Sequence, residues 1–395
     1  LPTIIKLAGY NTAMIGKYHL GVPFQPQLAF DHWVTFPHGH TTSFYNNDVI
    51  DCEKTYNFAG HTVDFFTDKT IEYLEQQADE EDPFFAFVPF NGPYGHWPAI
   101  EGRPDFEFAN LYDTVDMHSI PREGLSSEVL DRFGLRVAEG GLREQFKGPL
   151  LLPNNVVSLR NYFAQVSLID SGVGKILSTL ERLNMDENTI VIYTSDHGFS
   201  LGHNGIWGHG AAAFPSSVHR PSYNIPLIVA GEGVAENAVN DGFVSQIDLF
   251  PTLASLVEAK DVQPSLPSSA LDLGPALRQE GGYLRDAVFY EQEETRAIRT
   301  HDWVYAMRFQ GAPNYPIHNA LYQLEDDPSE KTNLSGLAEF ASVETELAAQ
   351  ISTYFKAYSN SKYDLWNGGT AKSNVTFQAL WQDAWGNNWQ PEHSA

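Results

Sequence analysis

A single cysteine, Cys52, stands among 395 residues. That excludes an intrachain disulfide framework and any cysteine-based zinc site. Basic residues are scarce as well. Twenty-four lysines and arginines face 50 acidic residues, for a formal net charge of −26. Such a chain is a poor partner for nucleic acid or an anionic membrane surface. No apolar run reaches the roughly 18 residues that a membrane-spanning helix needs. No signal-peptide pattern opens the chain, which starts Leu1-Pro2-Thr3-Ile4 without an initiator methionine and reads as the middle of a longer protein. What is present is a core-forming composition, 42% hydrophobic, with length for one large α/β domain and a smaller one. The acidic residues are scattered, as on the solvated surface of a secreted or marine bacterial protein.

Periodicity sets the organisation. Residues 3–9 read as a helix tail ending at Gly9, and Asn11–Ile15 as a short strand. Thr62–Gln77 carries a helical apolar stripe. Pro83–Phe90 is a buried-strand run that feeds a Gly/Pro-bearing loop. Residues 99–153 read as a long irregular excursion of the kind that forms lids or substrate-binding insertions. Ser158–Asn184 is the clearest helix, with Ser158 as its expected N-cap. Residues 189–194 and 226–230 are further strands. The first, placed after a helix, reads as half of a βαβ unit in an open sheet. Ser245–Val257 is a helix interrupted early by Pro251. Beyond residue 285 come short strands with close turns, then an amphipathic helix at 342–358. The last 30 residues show no clear period. The expected units are 1–284 and 285–395.

Chemistry-bearing side chains fall just after the predicted strands, where ligands collect in open α/β sheets. Asp196 and His197 end one strand, and a carboxylate beside an imidazole can share one cation. A turn capped by Asp is the alternative reading. Lys17 and His19 alternate after another strand, and together suit an anionic oxygen plus proton transfer. His96 sits in a loop stiffened by Gly95 and Pro98. His209 closes the glycine-punctuated stretch Leu201–Gly210.

Five segments recur in one family's order. They are Ala8–Gly21, ending Gly-Lys-Tyr-His-Leu-Gly; Ser195-Asp-His-Gly198; Asn224–Val229; Gln246–Thr252; and Leu321–Leu334. On these the chain resembles the sulfatases of the alkaline phosphatase superfamily, over nearly its whole length. The resemblance implies an α/β/α sandwich with a large mixed sheet, plus a small C-terminal antiparallel sheet and helix. It implies one divalent cation, usually calcium, with Asp196 and His197 on two ligand positions. It puts Lys17 on the sulfate oxygens, His19 beside the nucleophile and His96 on the leaving-group oxygen. The implied partner is a sulfated small molecule or carbohydrate, and the implied location is periplasmic or extracellular.

Two departures stand out. His209 occupies the position where such proteins usually carry a second lysine, so its charge depends on pH. The segment with His219-Arg220-Pro221 is also unusual, and Arg220 reads as structural. The larger departure is an absence. The family's formylglycine nucleophile arises from Cys or Ser in Cys/Ser-x-Pro-x-Arg, and no such motif occurs here. The chain as it stands is therefore expected to be inactive. Rival readings are a phosphodiesterase or phosphonate hydrolase of the same superfamily, and a non-catalytic binding protein that kept the fold. The sequons at Asn333 and Asn374 read as chance.

Overall fold

The structure is a computed structural model. It describes residues 1–21, 23–41, 43–93, 106–121, 156–210, 213–259, 268–281, 285–315, 317–371 and 375–392. His96 and most of the 99–153 excursion lie outside the described residues.

Helix α1 (Pro2–Leu7) leads into β1 (Asn11–Ile15), the hub of a five-stranded sheet. The sheet order is β4 (Lys54–Phe58), β3 (Asn47–Asp51), β2 (His32–Thr35), β1, β5 (Phe84–Phe87). β1 runs parallel to β2 and β5, while β2, β3 and β4 pair antiparallel, so the sheet is mixed. Side chains alternate across β1. Ala13 and Ile15 pack with Val34, Phe36, Phe65 and Phe66 on one face, and Met14 packs with Trp33 and Phe30 on the other. Both faces are covered, and every residue of β1 after Asn11 is buried. Helix α2 (Thr62–Gln77) supplies Phe65 and Phe66, and burial of Phe66 contributes about 2–3 kcal/mol. His61 caps that helix, its Nδ1 accepting from the Val63 N–H at 3.2 Å.

Helix α3 (Val156–Arg182) packs on α2. It begins two residues before the expected cap. Ser158 is fully buried inside the helix rather than at its end. β6 (Val191–Thr194) departs more from expectation. Its described partner is β9 (Leu227–Ala230), antiparallel, in a two-stranded sheet of its own. β7 (Ser200–Leu201) and β8 (Trp207–Gly208) form a small hairpin between them, and α4 (Arg220–Tyr223) precedes β9.

Pro251 does not interrupt a helix. It lies in the first turn of α5 (Leu249–Leu256), where a missing N–H costs nothing. After α6 (Gly274–Leu277) come four antiparallel strands: β10 (Ala287–Gln292), β11 (Thr295–Thr300), β12 (Trp303–Arg308) and β13 (Ala320–Gln323). Ile298, Tyr305 and Leu321 from this sheet meet Leu347, Ile351 and Phe355 of α7 (Ala341–Tyr358). A last helix, α8 (Gln378–Trp385), buries Leu380 and Trp381 against Phe309 and Ile317.

Candidate active site

The described contacts define two groups of the expected residues, each beyond the carboxyl end of a strand. The first follows β1. The Lys17 N–H donates to Pro89 O at 2.7 Å, so the exit of β1 stays stitched to the segment after β5. Tyr18 turns inward and meets the Trp33 ring edge-on, its centroid 4.8 Å away. Lys17 is half-buried and His19 exposed. Partial burial and the Lys17 charge push the His19 pKa below its ordinary value. At neutral pH the imidazole is therefore mostly neutral beside a charged amine.

The second group follows β6. The His197 N–H donates to Asp196 Oδ1 at 3.0 Å, and His197 Nε2 lies 3.6 Å from the same oxygen. His197 Nδ1 lies 2.8 Å from Gly198 O, which can only accept. Nδ1 is therefore the donor in that contact, and Nε2 is the ring nitrogen on the side of the Asp196 carboxylate. A carboxylate and an imidazole so placed can share one cation. The pair amounts to two donor groups, against the six to eight oxygens that calcium takes. Among the described residues no group of three or more His, Cys, Asp or Glu side chains could hold a metal ion.

His209 joins this second group. Its ring stacks on His197 with centroids 3.7 Å apart and planes inclined by 23°. The geometry comes from the β7–β8 hairpin, which turns through Gly202–Ile206 and delivers His209 one residue after Gly208. Asn204, in the left-handed region at φ 56°, anchors the hairpin by donating to Ser329 O at 2.9 Å and Glu330 O at 3.1 Å. Gly198 is required at the turn itself, because an added Cβ would lie 2.2 Å from Pro221 O. The Gly198 N–H donates to Ser222 O at 3.1 Å.

Helix α3 links the two groups. Tyr162 stacks on Phe199 beside His209, with centroids 5.7 Å apart. One turn on, Gln165 is buried against Gly92, in the segment that follows β5.

Three supporting roles escaped the sequence reading. Gln246 donates from Nε2 to Ser195 O, which holds the residue before Asp196. Asp248 is fully buried and takes a two-point grip from Arg285, at 2.5 and 2.7 Å. Glu330 accepts from Arg299, from His219 Nδ1 at 3.1 Å and from the Arg220 N–H at 3.1 Å. It thereby ties β11 to the start of α4, whose backbone meets Gly198. Gln246 and Glu330 lie inside segments quoted for the family resemblance, which was the available signal. The Arg220 side chain donates from Nε to Asn224 Oδ1 at 3.4 Å.

A mixed five-stranded sheet with helices, plus a separate four-stranded antiparallel sheet, fits the alkaline-phosphatase-like class of the solved structures that the chain resembles. The Sulfatase family model matches residues 1–259, and the chain belongs to that family. It is 27% identical to an N-acetylglucosamine-6-O-sulfatase of Bacteroides thetaiotaomicron, over 92% of this chain and 73% of that protein. It is 26% identical to an ulvan-active sulfatase of Formosa agariphila, over 88% of this chain and 64% of that one. Among solved structures it resembles BT4656 in complex with its substrate D-glucosamine-2-N,6-O-disulfate. That match has a TM-score of 0.66 and 26% identity, and covers 90% of this chain and 81% of the other. The family acts on sulfuric ester bonds and uses a divalent cation with formylglycine. No helix among the described residues is long and apolar enough to cross a membrane.

Proposed function

We propose that the protein acts on sulfate monoesters of carbohydrates. In this reading Lys17 and His19 face the sulfate group, and Asp196 with His197 gives two donors to a calcium ion. His209 serves the sulfate or the leaving oxygen from the side of the His197 ring, and His96 takes the leaving oxygen. The division into a catalytic unit at 1–284 and a C-terminal unit at 285–395 belongs to the same reading, as does a periplasmic or extracellular location. The observations that support it are Lys17 and His19 beyond the end of β1, and Asp196 with the His197–His209 stack beyond the end of β6. A fixed cation beside neutral imidazoles stabilises the oxygens of a sulfuryl group as a bond to sulfur breaks. A solved relative holding a doubly sulfated glucosamine supports the carbohydrate class.

In the same reading the 395-residue chain, in which no Cys/Ser-x-Pro-x-Arg occurs, binds such a substrate without turning it over. Calorimetry of the 395-residue chain with glucosamine 6-sulfate and with glucosamine tests this. The sulfated sugar binds at least about tenfold tighter, and Lys17→Met removes the preference, since a charge-assisted hydrogen bond is worth about 1.5–3 kcal/mol. Equal affinity for the two sugars overturns the reading. Release of product from an aryl sulfate, above a buffer control, overturns the statement about turnover.

A further inference from the structure

The loop after β2 returns over the segment that carries Lys17 and His19. Gly39 allows the return. Its φ is +68°, and an added Cβ would lie 2.1 Å from Tyr18 O and 3.4 Å from the His19 Cα. No side chain fits where two backbones press together. The Gly39 N–H donates to Phe36 O at 2.9 Å and closes the turn. The next residue, His40, therefore lies against His19. The two rings stack with centroids 5.0 Å apart and planes inclined by 18°. His40 is half-buried, and its Nδ1 is shut off from solvent.

We propose that His40 is a further residue of the oxyanion site at Lys17 and His19, taking up a proton when a sulfate or sulfate-ester group binds there. The proposal rests on the reading that Lys17 and His19 face the sulfate. The titratable groups that bear on His40 are Lys17, on the strand exit, and His19, stacked above it. Burial, the Lys17 charge and His19 together push the His40 pKa down to about 4. With no anion beside it, Lys17 thus neighbours two rings that are mostly neutral at neutral pH. An anion beside Lys17 offsets the repulsion that keeps the proton off His40, because opposite charge favours the charged form. The protonated ring is then a second cation for the anion, held in place by the stack and by Gly39. Binding and protonation are linked. If one proton enters with each anion, apparent affinity rises about tenfold for each unit of falling pH.

The direct test is calorimetry of sodium sulfate binding to the 395-residue chain at pH 6, in two buffers of different ionisation enthalpy. The difference in heat counts the protons taken up, and about half a proton or more per sulfate is expected at that pH. His40→Asn abolishes the uptake and flattens the pH dependence of affinity, while His19→Asn leaves uptake in place. In the unsubstituted chain, the His40 ring nitrogens, followed by 15N NMR, shift toward the imidazolium position on adding sulfate. That readout does not depend on a variant folding. Sulfate binding that needs Lys17 but brings no proton, or uptake that survives His40→Asn, overturns the role of His40 and leaves the sulfate site standing. Absence of sulfate binding, or binding indifferent to Lys17→Met, overturns both.

Discussion

Replacing Glu330 by Gln tests how the C-terminal sheet supports the candidate site. Glu330 is 2% exposed, and its carboxylate serves the Arg299 guanidinium, His219 Nδ1 and the Arg220 N–H. The Arg299 side chain is itself 13% exposed. Gln keeps the shape but presents an amide where a charge stood, leaving Arg299 buried without its counter-ion. Breaking one partner of such a pair costs about 3–5 kcal/mol. That is a large part of the 5–15 kcal/mol typical of whole proteins. Burial alone would raise the Glu330 pKa, but the hydrogen bond from His219 and the Arg299 charge outweigh it and hold the carboxyl below its ordinary value. A depressed folded-state pKa stabilises the fold above the unfolded value of about 4.3, and that contribution is lost as pH falls through the folded value. The gap between the native chain and Glu330→Gln in urea unfolding, followed by tryptophan fluorescence, is therefore about 3 kcal/mol at pH 7 and shrinks below pH 4. Pairing it with Arg299→Met recovers part of the loss, because the buried cation is removed as well. A loss under about 1 kcal/mol at pH 7, or one that does not change with pH, refutes the reasoning.

Two further outcomes are expected. Burial pushes the His61 pKa down to about 4, and its Nδ1 accepts from the Val63 N–H at the start of α2. Between about pH 6.5 and 4 the unfolded chain binds more protons than the folded one, so acidification destabilises the fold, by up to about 3 kcal/mol from this residue. His61→Asn keeps an acceptor at the cap and reduces that slope in unfolding free energy against pH; an unchanged slope contradicts the assignment. Among the described residues Asp196 and His197 supply two donors, so calcium is expected to bind the 395-residue chain only at millimolar levels or weaker, with Asp196→Asn removing the remainder. Micromolar calcium affinity by calorimetry contradicts the two-donor count.

Local signals were legible where burial on one or two faces imposes a period. β1 and α2 appear at the expected residues, and the short strands expected beyond residue 285 are β10 to β13. α8 was not legible, because its buried Leu380 and Trp381 sit among other aromatics that blur the stripe. The start of α3 was misread because a Ser near a helix end reads as a cap, whereas packing carries the helix past Ser158. The pairing of β6 with β9 depends on a partner 33 or more positions away, which no local pattern encodes. Among the candidate site residues, Asp196, His197, His209, Lys17 and His19 stand out by glycine-flanked placement after strands. His40 does not, because the role proposed for it rests on a loop return that becomes visible only when Gly39 meets Tyr18 and His19. Gln246 and Glu330 act on backbone and on other side chains, so their residue types alone carry no hint of what they hold.

The central claim is that Lys17, His19 and the His197–His209 stack surround one sulfate-ester position. A crystal structure of the 395-residue chain with glucosamine 6-sulfate tests it most directly. The account predicts sulfate oxygens roughly 3 Å from Lys17 Nζ, with the same group within reach of the His19 and His209 rings. A sugar bound with its sulfate in solvent, or at a site away from Lys17 and His209, contradicts it.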